Sequence, residues 1–176
     1  IINYNVVNMN DLNNYSSVFS NAGQNGNGIC LKIGKEVEKI PAYLFYSKTN
    51  ETFANVDIVE FAEGSVCESI GAYAFYNCKN MSKFITPDNV SFIGEYAFYN
   101  CECLSDINIP ENVISIGNQA YGNCGISQIK YNAIKLESLN EDSNIFYSYL
   151  LLNPNGIKVT IGKEVTKIPA YIFNNV

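Results

Sequence analysis

The sequence predicts a repeat solenoid built mainly from short parallel β-strands, joined by turns and short helical segments. Three observations predict it: an internal period of 23 residues, a longer duplication at an offset of 128 residues, and a two-residue alternation of apolar and polar side chains within the repeat. With 47% hydrophobic and 16% charged residues, the chain is apolar enough to build a core. A unit of this length cannot bury its apolar side alone, so we expect the copies to stack.

The short period is carried by residues that return at the same slot of each copy. They are Ile70-Gly71, Ile93-Gly94 and Ile116-Gly117; Ala74, Ala97 and Ala120; Phe75, Phe98 and Tyr121; and Asn77-Cys78, Asn100-Cys101 and Asn123-Cys124. Stacking turns each set into a column along the solenoid axis. Because Pro41 and Pro169 occupy the glycine slot elsewhere, positive φ is not essential there. Close packing or a sharp bend explains the glycines better.

The long period appears as a nearly exact duplication. The segment IGKEVEKIPAYLF, beginning at Ile33, returns as IGKEVTKIPAYIF beginning at Ile161, with eleven identities in thirteen positions. We therefore interpret residues 1–176 as a single solenoid segment of a longer protein. Its long units span about 1–45 and 128–173, and its 23-residue units span about 55–127.

Each coil is predicted to contribute one short strand. In Asp106–Ile109 apolar side chains alternate with polar ones, which is typical of a strand with one buried face. Aligning the other units on this strand gives seven predicted strands, near Asn3–Asn5, Cys30–Ile33, Ile58–Phe61, Lys83–Thr86, Asp106–Ile109, Gln128–Tyr131 and Lys158–Ile161.

The composition excludes several classes of function. The chain has 11 Lys and Arg residues against 17 Asp and Glu, a net charge of -6, and so lacks the positive field that nucleic-acid phosphates require. It has no histidine, the usual general base and the commonest metal ligand. No apolar stretch approaches the roughly 20 residues of a membrane-spanning helix. We therefore predict no enzyme activity, no cofactor, no nucleic-acid partner and no membrane span in this segment.

The six cysteines are predicted to be thiols without a catalytic or metal-binding role. Cys78, Cys101 and Cys124 share one column and point the same way, which favours a buried thiol column over disulfides. Cys67 takes the slot of Val90 and Val113 and should also lie in the core. Cys30 and Cys103 are predicted to be incidental outward thiols, because no histidine could activate them.

Metal sites have little support in the sequence. Cys101 and Cys103 form the only close cysteine pair, which is too few ligands for zinc. Glu137, Glu141 and Asp142 form the densest acidic cluster. We interpret this cluster as a solvated loop, with a weak calcium site as the alternative.

Two surfaces are candidates for binding. The first, called the strand face below, contains the outward residues of the predicted strands: Lys32, Glu60, Ile85, Asn108, Lys130 and Thr160, with their neighbours Ile58, Lys83, Asp106, Gln128 and Lys158. These side chains differ from coil to coil in charge and size, as on a surface that stacking does not constrain. The second, called the tyrosine edge, is the column of Tyr43, Tyr73, Tyr96 and Tyr171. Its tyrosines either shield the turn as a stacked column or form a recognition surface.

From Cys101 to Cys124 the sequence follows the pattern C-x-x-L-x-x-I-x-I-P-x-x-V-x-x-I-G-x-x-A-F-x-x-C, except that Tyr121 stands for phenylalanine. This pattern resembles the BspA-like leucine-rich repeat family of surface proteins. The resemblance implies a solenoid of the leucine-rich-repeat type. It also implies an extracellular, cell-surface role in adhesion, with a protein or glycan of a host or neighbouring cell as the partner. A spacer that binds nothing and an accessory region of a larger secreted enzyme are the alternatives.

Overall fold

The computed structural model describes residues 1–7, 9–13, 18–19, 22–23, 26, 28–47, 54–137, 139, 142–147 and 156–173. These residues form eleven strands: β1 (Ile2–Tyr4), β2 (Ile29–Ile33), β3 (Lys39–Ile40), β4 (Val56–Phe61), β5 (Ser69–Ile70), β6 (Lys83–Phe84), β7 (Phe92–Ile93), β8 (Asp106–Ile109), β9 (Ser115–Ile116), β10 (Gln128–Tyr131) and β11 (Lys158–Ile161). The strands pair in parallel between successive coils. The predicted solenoid of short parallel strands is therefore confirmed.

Two details of the prediction are wrong. Four coils add a second, two-residue strand, and these strands form a separate sheet in the order β3-β5-β7-β9. The short helical segments are also absent from the described residues, where the chain forms turns instead. The turns cannot become helical because Tyr73 and Asn77, with φ of 57° and 63°, adopt the left-handed conformation.

The core consists of columns that run along the axis. Inward side chains of the strands form one column, in which Leu31, Val59, Phe84, Ile107 and Ile129 are all buried. Aromatic rings from the turns form another, and ring centroids lie 5.0 to 5.7 Å apart from coil to coil. Its members are Phe19, Phe45, Phe75, Phe98, Tyr121 and Phe146. Each coil therefore completes its core only by contact with the coils beside it.

The turns hold adjacent coils together through hydrogen bonds. The backbone N–H of Phe75 donates to the carbonyl of Ala97 at 2.8 Å, and that of Asn77 donates to Tyr99 at 2.8 Å. The next coil repeats the pattern from Phe98 and Asn100. Asparagine side chains add a second chain of bonds, since Asn100 Nδ2 donates to Asn77 Oδ1 at 2.8 Å. Asparagine suits these positions because it tolerates the left-handed conformation better than most residues.

The column glycines permit close approach of neighbouring backbones, as the sequence suggested. A Cβ atom at Gly71, Gly94 or Gly117 would overlap backbone atoms of the preceding coil. For Gly94 the overlapping atoms belong to Gly71 and Ala72. None of the three glycines has positive φ, so proximity rather than conformation requires glycine here.

This close approach predicts the effect of adding one methyl group. Gly94→Ala should lower the free energy of unfolding by about 1–3 kcal/mol, because the backbone of Ala72 must move. Gly26→Ala is the matched control, since its Cβ would meet nothing within 4 Å, and it should change stability by less than about 0.5 kcal/mol. Chemical denaturation measures both. Equal stabilities of the two variants would contradict the close packing of the coils.

Tyr121 differs from the phenylalanines of its column by one buried hydroxyl group. This hydroxyl has no hydrogen-bond partner among the described residues. Burial raises the pKa of the Tyr121 phenol, and the nearby Thr86 hydroxyl opposes the rise without reaching hydrogen-bond geometry. A buried polar group without a partner is a local cost to stability.

Removing that hydroxyl should stabilise the protein. We expect Tyr121→Phe to raise the free energy of unfolding by about 1–3 kcal/mol, the desolvation cost of an unpaired polar group. Tyr171→Phe is the control, because this side chain is 49% exposed and its hydroxyl remains hydrated. Thermal unfolding of both variants tests the expectation. A lower melting temperature for Tyr121→Phe would show that the hydroxyl has a partner.

Candidate functional site

The strand register brings the predicted outward residues into rows. Lys32 aligns with Glu60, and on the other sheet Lys130 aligns with both Asn108 and Thr160. A second row aligns Ile58 with Lys83, and Gln128 with Asp106 and Lys158. The side chains of Lys32, Glu60, Lys83, Ile85, Asp106, Lys130, Lys158 and Thr160 are exposed, and those of Ile58, Asn108 and Gln128 are half-buried.

The hydrogen-bonded sheet beneath the strand face is interrupted between β6 and β8. The long strands form two sheets, β1-β2-β4-β6 and β8-β10-β11. At the division the Asn108 side chain reaches across and its Nδ2 donates to the Thr86 carbonyl at 3.5 Å.

Phe84 is held by other rings in the core. Its ring packs edge-on against Phe75 and Phe98, with centroids 5.5 and 4.7 Å away, and against Phe61 at 5.6 Å. β6 ends directly after Phe84. The next residue, Ile85, is 59% exposed, so this coil presents a large apolar side chain to solvent.

Two adjoining cavities flank Ile85. The first, about 620 Å³, is lined by Glu60, Phe61, Lys83, Ile85, Pro87 and Asp88, among others. The second, about 600 Å³, lies over the division between the sheets, and Phe84, Ile85 and Ile107 supply its apolar side chains. Its polar lining consists of Ser82, Lys83, Asp106, Asn108, Gln128 and Lys130. Lys83 and Ile85 line both cavities.

The sequence predicted part of this lining and missed the rest. Five of the six polar residues of the second cavity belong to the predicted strand face, whereas Phe61, Pro87 and Asp88 of the first cavity were not predicted. No recurring slot of the sequence pointed to a cavity, because both cavities are lined by residues of several coils.

The charged side chains of the strand face form no ion pairs with described residues, although Lys79 and Glu102 pair at 2.9 Å elsewhere. This group contains four lysines and two carboxylates, a net charge of +2: Lys32, Lys83, Lys130, Lys158, Glu60 and Asp106. The remainder of the chain holds seven lysines and 15 carboxylates, a net charge of -8. The strand face is therefore positive on an acidic chain.

The tyrosine edge is a stack of rings. Tyr73 lies between Tyr43 and Tyr96, with ring centroids 4.8 and 5.0 Å away and interplanar angles of 10° and 20°. Burial, followed by the charge of Glu95, raises the pKa of Tyr73 to about 12. Tyr171 occupies the same left-handed slot and is 49% exposed. Because neighbouring rings cover both faces of Tyr73, a ligand can reach only its rim.

The cysteine column is buried, as predicted. Cys78, Cys101 and Cys124 are unpaired thiols in the core, and Cys67 is fully buried as well. Cys101 Sγ donates a hydrogen bond to the Phe75 carbonyl at 3.3 Å, and Cys124 Sγ donates one to the Phe98 carbonyl at 3.1 Å. The sequence did not reveal these bonds. The two remaining thiols are more accessible, since Cys30 is half-buried and Cys103 is exposed.

Burial favours the protonated thiol at Cys67, Cys78 and Cys101. It raises the pKa of Cys78 and Cys101 above the ordinary value, and it raises that of Cys67 to about 11. The thiolate is the nucleophile and the metal ligand in cysteine chemistry. The geometry of the column therefore gives these thiols a packing role.

Neither a metal cluster nor a spanning helix is found in the described part of the chain. Within those residues, no three His, Cys, Asp or Glu side chains come together in a way that could hold a metal ion. Of the predicted acidic cluster, Glu141 lies outside the described residues. In the same residues no helix has the length and apolarity needed to cross a membrane.

The buried thiols predict a loss of stability at alkaline pH. In the folded protein Cys67 holds its proton to a pKa of about 11, against an ordinary value of 9.0. The unfolded chain therefore releases this proton first, so the contribution to stability is complete below about pH 9 and is lost between about pH 9 and 11.

Cys67→Val tests this expectation, because valine occupies the same slot at Val90 and Val113. Between about pH 9 and 11, the free energy of unfolding should fall less steeply in the variant than in the wild type. The difference in slope should be up to about 1.4 kcal/mol per pH unit. Cys103→Ser is the exposed control and should leave the slope unchanged. Identical slopes for Cys67→Val and the wild type would show that the buried thiol does not drive the loss.

The chain matches a family model of known repeat proteins. A family model described as a BspA-type leucine-rich repeat region matches residues 53–176, with six copies. Neither the curated proteins nor the solved structures contain a significant match. The matched range covers both cavities and the division between the two sheets.

Proposed function

Because the chain belongs to the BspA-type leucine-rich repeat family, we propose that it is a cell-surface adhesion module whose strand face binds a protein or glycan of a host or neighbouring cell. Repeats of this family are typically binding and adhesion repeats. The observation that supports this surface is the pair of adjoining cavities about Lys83 and Ile85. In this proposal the protein acts outside the cell, without a cofactor and without catalysis.

The lining of the cavities has the composition of a recognition site. Binding sites combine apolar surface with a few polar groups that fix orientation. Here Ile85 supplies exposed apolar area, Lys83 and Asp106 supply charges without an ion-pair partner, and Asn108 supplies an amide. A partner can contact such charges without first breaking an ion pair.

The tyrosine edge fits a binding role less well. Stacked neighbours already cover the faces of Tyr73, and the ring face is the part of an aromatic side chain that offers the largest contact area. The stack also lies where the left-handed turns join the coils, so a structural role accounts for it. We retain Tyr73 and Tyr96 as the alternative site in the experiment.

The experiment compares two variants of equal folding. One replaces Lys83, Asp106 and Lys130 by Ala, and the other carries Tyr73→Phe and Tyr96→Phe, which removes two hydroxyls and keeps the stack. Attachment of each variant to arrays of host proteins and glycans is measured beside the wild type, with circular dichroism confirming the fold. We expect the strand-face variant to bind about 10- to 100-fold more weakly, since each lost polar contact contributes about 0.5–1.5 kcal/mol.

Three other outcomes would contradict the proposal. Undiminished attachment by the strand-face variant, with loss in the tyrosine variant, would place the site at the turn edge. Undiminished attachment by both variants would remove both surfaces from consideration. Attachment of the wild type to no protein or glycan would favour a spacer.

A further inference from the structure

The first cavity lies where the pairing between β4 and β6 ends. β4 pairs with β2 as far as Phe61, whereas its pairing with β6 ends at Val59, opposite Phe84. Beyond that point residues of both coils line the cavity, among them Glu60, Phe61, Ile85, Pro87 and Asp88. The cavity therefore borders the end of β4 that forms no strand pairing with the next coil.

Two prolines leave backbone carbonyls at the strand ends without their usual donor. In four coils the residue after the strand donates its N–H to a carbonyl of the preceding coil at 2.8 or 2.9 Å: Gly34 to Tyr4, Ala62 to Ile33, Asn132 to Ile109 and Gly162 to Tyr131. Pro87 and Pro110 hold this position in two further coils, and proline has no N–H. The Thr86 carbonyl accepts from the Asn108 side chain instead, at 3.5 Å. No described residue donates to the Phe61 carbonyl, and Phe61 lines the first cavity.

The lysine of this cavity is separated from the Phe61 carbonyl along the strand direction. Lys83 aligns with Ile58, and Phe61 is three residues further along β4, about 10 Å at the usual rise per residue. Pro87 occupies the position opposite the Phe61 carbonyl, and Asp88 comes directly after it. The Phe61 end of the cavity therefore offers hydrogen-bond acceptors and negative charge at a distance from the backbone of Lys83.

The two carboxylates at this end form no ion pairs with described residues. Lys32 aligns with Glu60 without pairing with it, and the Cys30 thiol contacts the Glu60 carboxylate at 4.0 Å. The Asp88 carboxylate has neither an ion-pair nor a hydrogen-bond partner among the described residues. A ligand can therefore engage Asp88 without displacing another protein group.

These groups favour a cation that combines several N–H donors with an apolar stem. A guanidinium carries five N–H donors in a planar fork and no acceptor, so it can donate to the Phe61 carbonyl and the Asp88 carboxylate together. The aliphatic stem of arginine can cover Ile85, which is 59% exposed. Lysine presents a compact and more strongly hydrated charge. An arginine side chain therefore matches the lining better than a lysine side chain does.

Calcium and glycans match the same groups less well. Calcium takes about six to eight oxygen ligands, whereas this end of the cavity offers the Phe61 carbonyl and the carboxylates of Glu60 and Asp88. A neutral glycan leaves the charge of Asp88 uncompensated, and a sulfated glycan is repelled by it. Only a cation with directional donors uses both the charge and the carbonyl.

From these observations we propose that the first cavity binds an arginine side chain of a partner protein. Its guanidinium donates to the Phe61 carbonyl and the Asp88 carboxylate, and its stem lies against Ile85. Glu60 adds negative charge at the same end. The proposal rests on the proposed function, because it specifies the chemistry by which the same strand face recognises its partner.

The test titrates the whole chain with short peptides and follows the protein amides by NMR. The probe is Gly-Ser-Arg-Ser-Gly, and its controls carry citrulline, the neutral isostere of arginine, or lysine in the central position. The probe should shift the amides of Ala62 and Ile85, and its binding should weaken as salt rises. The citrulline peptide should bind at least about tenfold more weakly, because charge-assisted hydrogen bonds are lost. Equal binding of the probe and either control would overturn the proposal.

Two matched double variants locate the charge. Glu60→Gln with Asp88→Asn should weaken binding of the arginine probe at least about tenfold. Glu68→Gln with Glu95→Gln removes the same charge from exposed residues outside the cavity and should leave binding nearly unchanged. Equal losses in the two variants would show that only net charge matters and would overturn the proposal.

Two matched proline variants test the role of the carbonyl. Pro87→Ala supplies an N–H opposite the Phe61 carbonyl, which should compete with the guanidinium and weaken probe binding several-fold. Pro110→Ala supplies an N–H opposite the Thr86 carbonyl and should leave probe binding unchanged. The amide spectrum confirms the fold of each variant. If Pro87→Ala binds the probe as tightly as the wild type does, the carbonyl is not part of the site and the proposal is wrong.

Comparison with the attachment experiment separates this proposal from the proposed function. If the variant with Lys83, Asp106 and Lys130 replaced by Ala loses attachment but the wild type binds no arginine probe, the arginine site is wrong and the strand face remains the adhesion site. If that variant keeps full attachment while Glu60→Gln with Asp88→Asn loses the probe, the arginine site stands and the proposed adhesion through the strand face is wrong.

Discussion

The left-handed turn residues are the constraint on which the rest of the structure depends. At Tyr73, Asn77, Tyr96 and Asn100 the backbone takes positive φ, and backbone N–H groups of these turns point to carbonyls of the next coil. Such conformations cost about 1–3 kcal/mol each for residues other than glycine. Hydrogen bonds between coils and stacked rings, each worth about 0.5–1.5 kcal/mol, offset that cost. The distance at which these turns hold adjacent coils also sets the register of the strands, and therefore the arrangement of the strand face.

Dependence on neighbouring coils is visible in the duplicated segment itself. Ile33 and Ile40 are buried in the first copy, where the coil containing β4 and β5 covers them. Their counterparts in the second copy, Ile161 and Ile168, are 40% and 45% exposed. Nearly identical sequences thus have different burial, because a repeat unit obtains its core from the units beside it.

Much of the fold could be predicted from the sequence, because residues that recur with the period lie above one another when the coils stack. The seven strand positions, the buried cysteines and the close approach at Gly94 all follow from slots that recur. The second strand of four coils could not be predicted, since a strand of two residues leaves no alternation to detect. The positive φ of Tyr73 could not be predicted either, because aromatic residues seldom adopt it. The cavities could not be predicted, because each is lined by residues from several coils whose side-chain positions the period alone does not fix.

Amide hydrogen exchange tests the stacked-turn account most directly, because it reports the hydrogen bonds between coils one residue at a time. The account predicts slow exchange at the amides of Phe75, Asn77, Phe98 and Asn100, which donate to the next coil. It also predicts slow exchange at Gly94 and Gly117, which donate to the preceding coil. Protection should therefore recur with the 23-residue period. Exchange at these amides as fast as in an unfolded chain would contradict the account.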